Sequence, residues 1–226
     1  MLYNAGLCPG GEADRKGRTA QHYAAENKYE GVVKVLIRNR ARFNVRTVCP
    51  REDNYTLLHL ATIGGHEKVT QFLLDVGADA NGTDATTQSN RYKGQPWAKS
   101  DDSVDPTPLH LAAKHGHEAI VKQLLGKEVN VGSLYSSETP LYLAAENGHE
   151  AVVKLLVEKG VNVGLSAKTV SDHDTALHIA ARNGHKAVIQ VLLDNGADTK
   201  KLIYLRNGSR TALHETARQG HKVVAQ

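Results

Sequence analysis

The sequence predicts an all-α repeat solenoid, a stack of short helix pairs in which each pair completes the hydrophobic core of its neighbours. Three observations carry this expectation. One phrase recurs six times: TAQHYAA from Thr19, TLLHLAT from Thr56, TPLHLAA from Thr107, TPLYLAA from Thr139, TALHIAA from Thr175 and TALHETA from Thr211. A Gly-His step follows five of the six, at Gly65-His66, Gly116-His117, Gly148-His149, Gly184-His185 and Gly220-His221. An aliphatic run at helical spacing comes next, as in Val69 with Leu73 and Leu74, Ile120-Val121 with Leu124-Leu125, Val152-Val153 with Leu155-Leu156, and Val188-Ile189 with Leu192-Leu193. Self-similarity at a period of a few tens of residues is the mark of a stacked-repeat architecture.

Each position of the repeat has a physical task. The Thr is placed to cap a first helix, its hydroxyl accepting from an orphan backbone N–H. Pro108 and Pro140 come one residue later, where a missing donor costs nothing. The Leu and Ala positions then give a short helix with a slim face, so that neighbours pack closely. Gly ends that helix and His opens the second, whose V-x-x-L-L spacing makes an apolar stripe. In Gly77-Ala78-Asp79 and Gly196-Ala197-Asp198 the glycine supplies the left-handed residue after the second helix. A polar stretch leads to the next Thr. Helix pairs this short cannot bury their apolar faces alone, so stacking is obligatory.

Composition agrees. The chain is 40% hydrophobic, yet only two Phe and one Trp occur among 226 residues, which suits many small aliphatic cores. The net charge of +4 is unevenly spread. Residues 1–51 carry ten Lys/Arg against four Asp/Glu, residues 200–226 six against one, and residues 52–199 twelve against nineteen. An acidic middle repels a phosphate backbone laid along the stack and argues against nucleic acid, whereas alternating patches suit a protein partner. Cys8 and Cys49 are too few to staple the chain, which points to a reducing, cytoplasmic or nuclear setting. No apolar run is long enough to span a membrane, and the first residues lack the pattern of a signal peptide.

The six copies resemble ankyrin repeats, with their T-P-L-H-x-A signature and a period of about 33 residues. The resemblance covers nearly the whole chain. It implies an L-shaped stack from which β-turn fingers project, with a concave surface of fingers and first helices on which such proteins commonly bind partners. The expected layout is one domain over 1–226: a partial repeat at 1–18, repeats starting near 19, 56, 107, 139 and 175, and a truncated repeat from 211. LYNAGL at 2–7 reads as the tail of an earlier second helix and HKVVAQ at 221–226 stops partway through another, so a segment of a longer array is expected.

Departures from the repeat are informative. The Thr-to-Thr distances are 37, 51, 32, 36 and 36 residues, and the largest insertion lies within 82–106, expected to form a long finger or loop whose removal leaves the fold intact. In the first repeat Gln21 stands where Leu is expected and Lys28-Tyr29 replaces Gly-His. Arg40 and Glu128 occupy positions of the left-handed glycine, at about 1 kcal/mol each if that geometry is kept.

Ten of the twelve histidines fall on repeat positions, leaving His115 and His173. The His-Glu steps at His66, His117 and His149 lead to Thr70, Val121 and Val153 rather than a second His, so the zinc motif H-E-x-x-H is not formed. With no nucleophile elbow or phosphate loop either, the expectation is a protein that is not an enzyme, with no catalytic residue, metal site or cofactor. The TxxH histidines (His22, His59, His110, His178 and His214) sit in a first turn, where burial and the helix dipole should depress their pKa.

The candidate partner-binding residues follow the repeat register. Arg18, Tyr55, Glu138, Asp174 and Arg210 precede five of the six Thr; Lys114, His115, Glu146, Asn147, Arg182, Asn183 and Arg218 follow the small-residue face. Tyr92 and Trp97 in the insertion join them, because aromatic and Arg side chains dominate interface hot spots; Trp97 either packs on its own repeats or awaits a partner. The expected function is a monomeric module of a larger regulatory or scaffolding protein, binding a protein partner with affinity drawn from rigidity. The alternative is an autoinhibitory or mechanical spacer packed on its own parent chain.

Overall fold

The computed structural model describes residues 13–14, 17–39, 41, 43–44, 47, 55–82, 106–132, 138–168, 172–205 and 208–220. Among them are eleven short helices: α1 (Ala20–Glu26), α2 (Glu30–Arg38), α3 (Leu57–Ile63), α4 (Glu67–Asp75), α5 (Pro108–His115), α6 (Glu118–Leu125), α7 (Pro140–Glu146), α8 (Glu150–Glu158), α9 (Ala176–Asn183), α10 (Lys186–Asp194) and α11 (Ala212–Arg218). Two hairpins accompany them, β1 (Ser166–Lys168) with β2 (Asp172–Thr175), and β3 (Ile203–Leu205) with β4 (Gly208–Arg210). The chain forms two compact units, Met1–Pro108 and Leu109–Gln226. In the first, α1 packs on α3 and α2 on α4. In the second, α7, α9 and α11 form one layer and α6, α8 and α10 another.

The cores are aliphatic and the helices of the first layer meet through alanine. Ala112, Ala113, Ala144, Ala145 and Ala180 are fully buried, and Leu73, Leu124, Leu156 and Leu192 fill the space between the layers. Burying such a Leu contributes about 1.5–3 kcal/mol. Among the described residues Tyr142 is the one aromatic side chain of the core.

The caps follow the expected threonines, with a twist. Thr19, Thr56, Thr175 and Thr211 are extended N-caps in capping boxes whose third member is His instead of the usual Glu or Gln. The backbone N–H of each Thr donates to Nδ1 of His22 (3.0 Å), His59 (3.1 Å), His178 (3.4 Å) and His214 (3.3 Å). An amide can only donate, so Nδ1 is bare and the ring proton sits on Nε2. That proton reaches forward: Nε2 of His59 donates to the carbonyl of Pro106 (2.9 Å) and that of His178 to Lys201 (3.0 Å).

The Gly-His histidines reach the other way. His66, His149 and His185 are N-caps of α4, α8 and α10, but their side chains cap nothing. Their Nε2 atoms donate instead to carbonyls at the end of the preceding repeat's first helix: Glu26 (2.7 Å), Lys114 (3.0 Å) and Glu146 (3.0 Å). Each such bond is worth about 0.5–1.5 kcal/mol and also fixes the spacing between repeats. Two of the glycines that precede a Gly-His histidine are required twice over. Gly116 (φ 73°) and Gly148 (φ 75°) are left-handed, and a Cβ there would lie 2.5 Å from the His149 ring and 2.7 Å from the His185 ring.

Lys28, standing for that glycine in the first repeat, is itself left-handed with φ 65°, the only non-glycine so placed among the described residues. Glu128 is not, because α6 ends one residue sooner at the C-cap Gly126 and the chain turns through a Val129 N–H to Lys127 carbonyl bond of 2.9 Å. The cost expected for Glu128 is therefore avoided by a change of geometry, and Arg40 lies outside the described residues.

The fingers begin with side-chain turns. Asp79, Asn130, Asn162 and Asp198 each accept from the backbone N–H two residues on, at 2.8–3.1 Å. Beyond the last two, the chain closes antiparallel hairpins, pairing Ser166 with Thr175 and Ile203 with Arg210. Ile203 is fully buried, and β3 lies against β2. Most of the 82–106 insertion, the LYNAGL segment and HKVVAQ fall outside the described residues.

Candidate partner-binding face

Two register positions organise the exposed side of the first-helix layer: the residue before the capping Thr and the seventh residue after it. In the first unit these are Arg18 and Glu26, whose side chains form an ion pair of 2.7 Å. The Arg18 guanidinium also lies over the Tyr23 ring at 5.8 Å, and the Tyr23 hydroxyl donates to Asp14 at 2.6 Å. Tyr55 is half-buried with its ring stacked on His59 at 5.5 Å, and its N–H donates to the Thr47 hydroxyl.

In the second unit the same two positions of the repeat from Thr175 are Asp174 and Arg182. Asp174 is buried and accepts two hydrogen bonds from the guanidinium, at 2.9 and 3.2 Å. The Nε of Arg182 donates to Glu215 at 3.1 Å, and Arg210 donates to the other Glu215 oxygen at 3.2 Å. Four of these charges thus close a network from β2 and α9 to β4 and α11. Burial pushes the Glu215 carboxyl up, but its hydrogen bonds and charge contacts with Arg182 and Arg210 prevail and hold it below its ordinary range.

The remaining candidates line the ends of the first helices. Lys114 and His115 are exposed at the end of α5, with His115 stacked on His117 at 5.8 Å. Partial burial, then the charges of His117, Lys114 and His149, hold the His115 imidazole below its ordinary pKa. Asn147 caps α7 through the Leu143 carbonyl (2.9 Å), and Asn183 crosses from α9 to the Glu146 carbonyl (2.8 Å). Arg218 is exposed on α11. The charge of Glu146 acts on Glu138, whose carboxyl is raised by burial first and then by that charge, against the pull of Lys114. Tyr92 and Trp97 lie outside the described residues.

Sequence reasoning left two members of this face out of the site. Glu215 occupies the position filled by Ile179 one repeat earlier, and a carboxylate in a buried aliphatic slot signals a cation nearby. Tyr142 takes the place of the TxxH histidine, which was legible as a departure though not as part of a surface. Among the described residues no group of three or more His, Cys, Asp or Glu side chains is placed to hold a metal ion, and no helix is long and apolar enough to cross a membrane.

Inter-repeat histidine bonds, Asx-started fingers and a small-residue first-helix layer define a stacked helix-pair repeat protein. The match to known families is direct: the model for ankyrin repeats fits three times, over residues 2–84, 92–167 and 164–226, and the chain belongs to the ankyrin-repeat family. Among curated proteins it is similar to the transient receptor potential cation channel subfamily A member 1 homolog of Caenorhabditis elegans, 29% identical over 130 residues. That likeness covers 50% of this chain and 10% of the relative, so the chain spans a small part of the channel homologue's length.

Proposed function

We propose that this chain is a recognition module that binds a protein partner through the ends of its first helices and the adjoining fingers, with Lys114, His115, Asn147, Asn183 and Arg218 among the contacting residues. Ankyrin repeats are generally protein-interaction modules, which supplies the class. The observation that carries the reading for this chain is the contrast between a rigid frame and an uncommitted surface. The carbonyls at the ends of α5 and α7 are tied by His149 and His185, while the side chains of Lys114 and Arg218 are exposed and, among the described residues, bonded to nothing. A preorganised surface loses little entropy on binding, so its exposed charges are available for selectivity.

The test uses the full chain as bait, with proteins captured from cells identified by mass spectrometry. Charge reversal on the proposed face (Lys114→Glu with Arg218→Glu) should abolish capture of a protein that is still retained when Lys154→Glu and Lys186→Glu reverse exposed charges on the second helices. Equal retention by both double variants, or equal loss, refutes the assignment of the face.

A further inference from the structure

The repeat from Thr139 places two like charges where two other repeats place an acid–base pair. Across the first helix, the residue before the capping Thr and the seventh residue after it make an acid–base pair in two other repeats. Arg18 holds Glu26 at 2.7 Å, and Arg182 holds Asp174 at 2.9 and 3.2 Å. The polarity is reversed between the two, so the two positions can hold one cation and one anion, whichever end supplies which; the repeats from Thr56, Thr107 and Thr211 have Tyr55 and Ile63, Pro106 and Lys114, and Arg210 and Arg218 there. In the repeat from Thr139 both positions are carboxylates, Glu138 and Glu146, and neither makes an ion pair among the described residues. Here the cation is missing.

The side chain between them has no protein partner for its polar tip. Tyr142 lies four residues after Glu138 and four before Glu146, and replaces the histidine that in His59 and His178 bonds at both ring nitrogens. It is only 4% exposed, yet its hydroxyl has no hydrogen-bond partner among the described residues, and the oxygen is not sealed from water. The ring is buried while its polar tip stays open to water, so the oxygen is available to a donor brought by a partner. Burial, and after it the charges of Asp174, Glu146 and Glu138 against the one guanidinium of Arg182, raise the pKa of that hydroxyl. Asp174 is already paired with Arg182, and Glu215 with Arg182 and Arg210, so the unspent negative charge belongs to Glu138 and Glu146. Lys114 reaches Glu138 only as a distant charge and bonds neither carboxylate.

We propose that the slot formed by Glu138, Tyr142 and Glu146 receives an arginine side chain of the bound protein, which supplies the cation that Arg182 supplies in the next repeat. A guanidinium suits the slot better than an ammonium or a metal ion. Its planar fork presents several donors at once, enough for two carboxylates and a phenolic oxygen, and its weak hydration lowers the cost of entering a half-covered site. The bonds it makes to the carboxylates are charge-assisted. This inference rests on the reading of the face as a protein-binding surface and names one contact within it.

The test is a nuclear magnetic resonance titration of the full chain, isotopically labelled at tyrosine and along the backbone. The probe is acetyl-Gly-Arg-Gly-amide, and the control is the same peptide with neutral citrulline. The arginine peptide should shift Tyr142 and the amides of Glu138 and Glu146 saturably; the citrulline peptide and sodium chloride at matched ionic strength should not. Glu138→Gln with Glu146→Gln should weaken the arginine response by about tenfold or more. The same double variant should unfold at an equal or higher urea concentration than the parent, because a like-charge pair has been removed. A structural role for these carboxylates would instead cost stability. Absence of a saturable shift, an equal response to citrulline or salt, or unchanged binding by the double variant overturns the slot. If the arginine peptide fails while the Lys114 and Arg218 reversals still abolish protein capture, the face stands without the slot. If capture proves independent of the face, the peptide titration still judges the slot.

Discussion

Replacing Arg182 with Met tests how much of the second unit hangs on one guanidinium. The methionine keeps an apolar stem and removes only the charged fork. Asp174, whose side chain is 1% exposed, then loses both of its hydrogen bonds to Arg182, and Glu215, 2% exposed, keeps the bond from Arg210. Removing one partner of a buried pair costs about 3–5 kcal/mol. Because Arg182 is itself 26% exposed and Glu215 retains a cation, the expected loss lies at the low end, about 3 kcal/mol. That is a large share of the roughly 5–15 kcal/mol that holds a typical domain together. Urea unfolding followed by circular dichroism measures it near neutral pH and again at about pH 4, near the ordinary carboxylate range. The two curves should converge in acid. In the parent, the lowered pKa of Glu215 makes its contribution present above the ordinary value and lost as pH falls through the folded one. In the variant, burial acts on Glu215 against one cation fewer, so the folded chain takes up a proton more readily and less is lost. Adding Glu215→Ile, the residue type of Ile179 at the same register, should recover part of the stability. A neutral-pH loss below about 1 kcal/mol, or a gap that does not narrow in acid, refutes the reasoning.

Three further outcomes follow from single positions. Lys28→Gly should raise the urea midpoint by the equivalent of about 1 kcal/mol, since Lys28 is held at φ 65° where only glycine is unstrained; an unchanged or lower midpoint counts against strain there. Gly148→Ala should cost at least about 1 kcal/mol more than Gly160→Ala, because both are left-handed but only the first drives a Cβ to 2.7 Å from the His185 ring and displaces its bond to Glu146. Equal losses would show that φ alone matters. His178 should titrate below the ordinary value of about 6.5, with Nδ1 bare in long-range nitrogen–proton spectra, because burial outweighs the bond to the Lys201 carbonyl that favours its charged form. Its contribution to stability is then full above that value and erodes as pH falls through the folded pKa; titration at or above the ordinary value would refute this.

The repeat, its caps and its aliphatic cores were legible in the sequence because they depend on local chemistry copied many times. Thr before a helix, Gly at a left-handed turn and Leu at helical spacing mean the same thing wherever they occur, and six copies remove the ambiguity of one. The histidine positions were equally plain, yet what the rings touch was not. Nδ1 of His59 is spent on its own cap and Nε2 on Pro106, 47 residues away, a partner that no local pattern names. Lys28 and Glu128 show the same limit from the other side. Both were recognisable as misplaced at glycine positions, but only the folded chain decided that one accepts the left-handed conformation and the other shortens its helix to escape it. Charge pairing is the furthest from the sequence. Arg182 reaches across a repeat to Glu215 because stacking brings together side chains whose signs are set copy by copy, and the charge of Glu146 acts on Glu138 from the other end of one helix. A repeated sequence determines that the copies stack; which variable residues neutralise one another, and which are left without a partner, is decided by distances that exist only once they have.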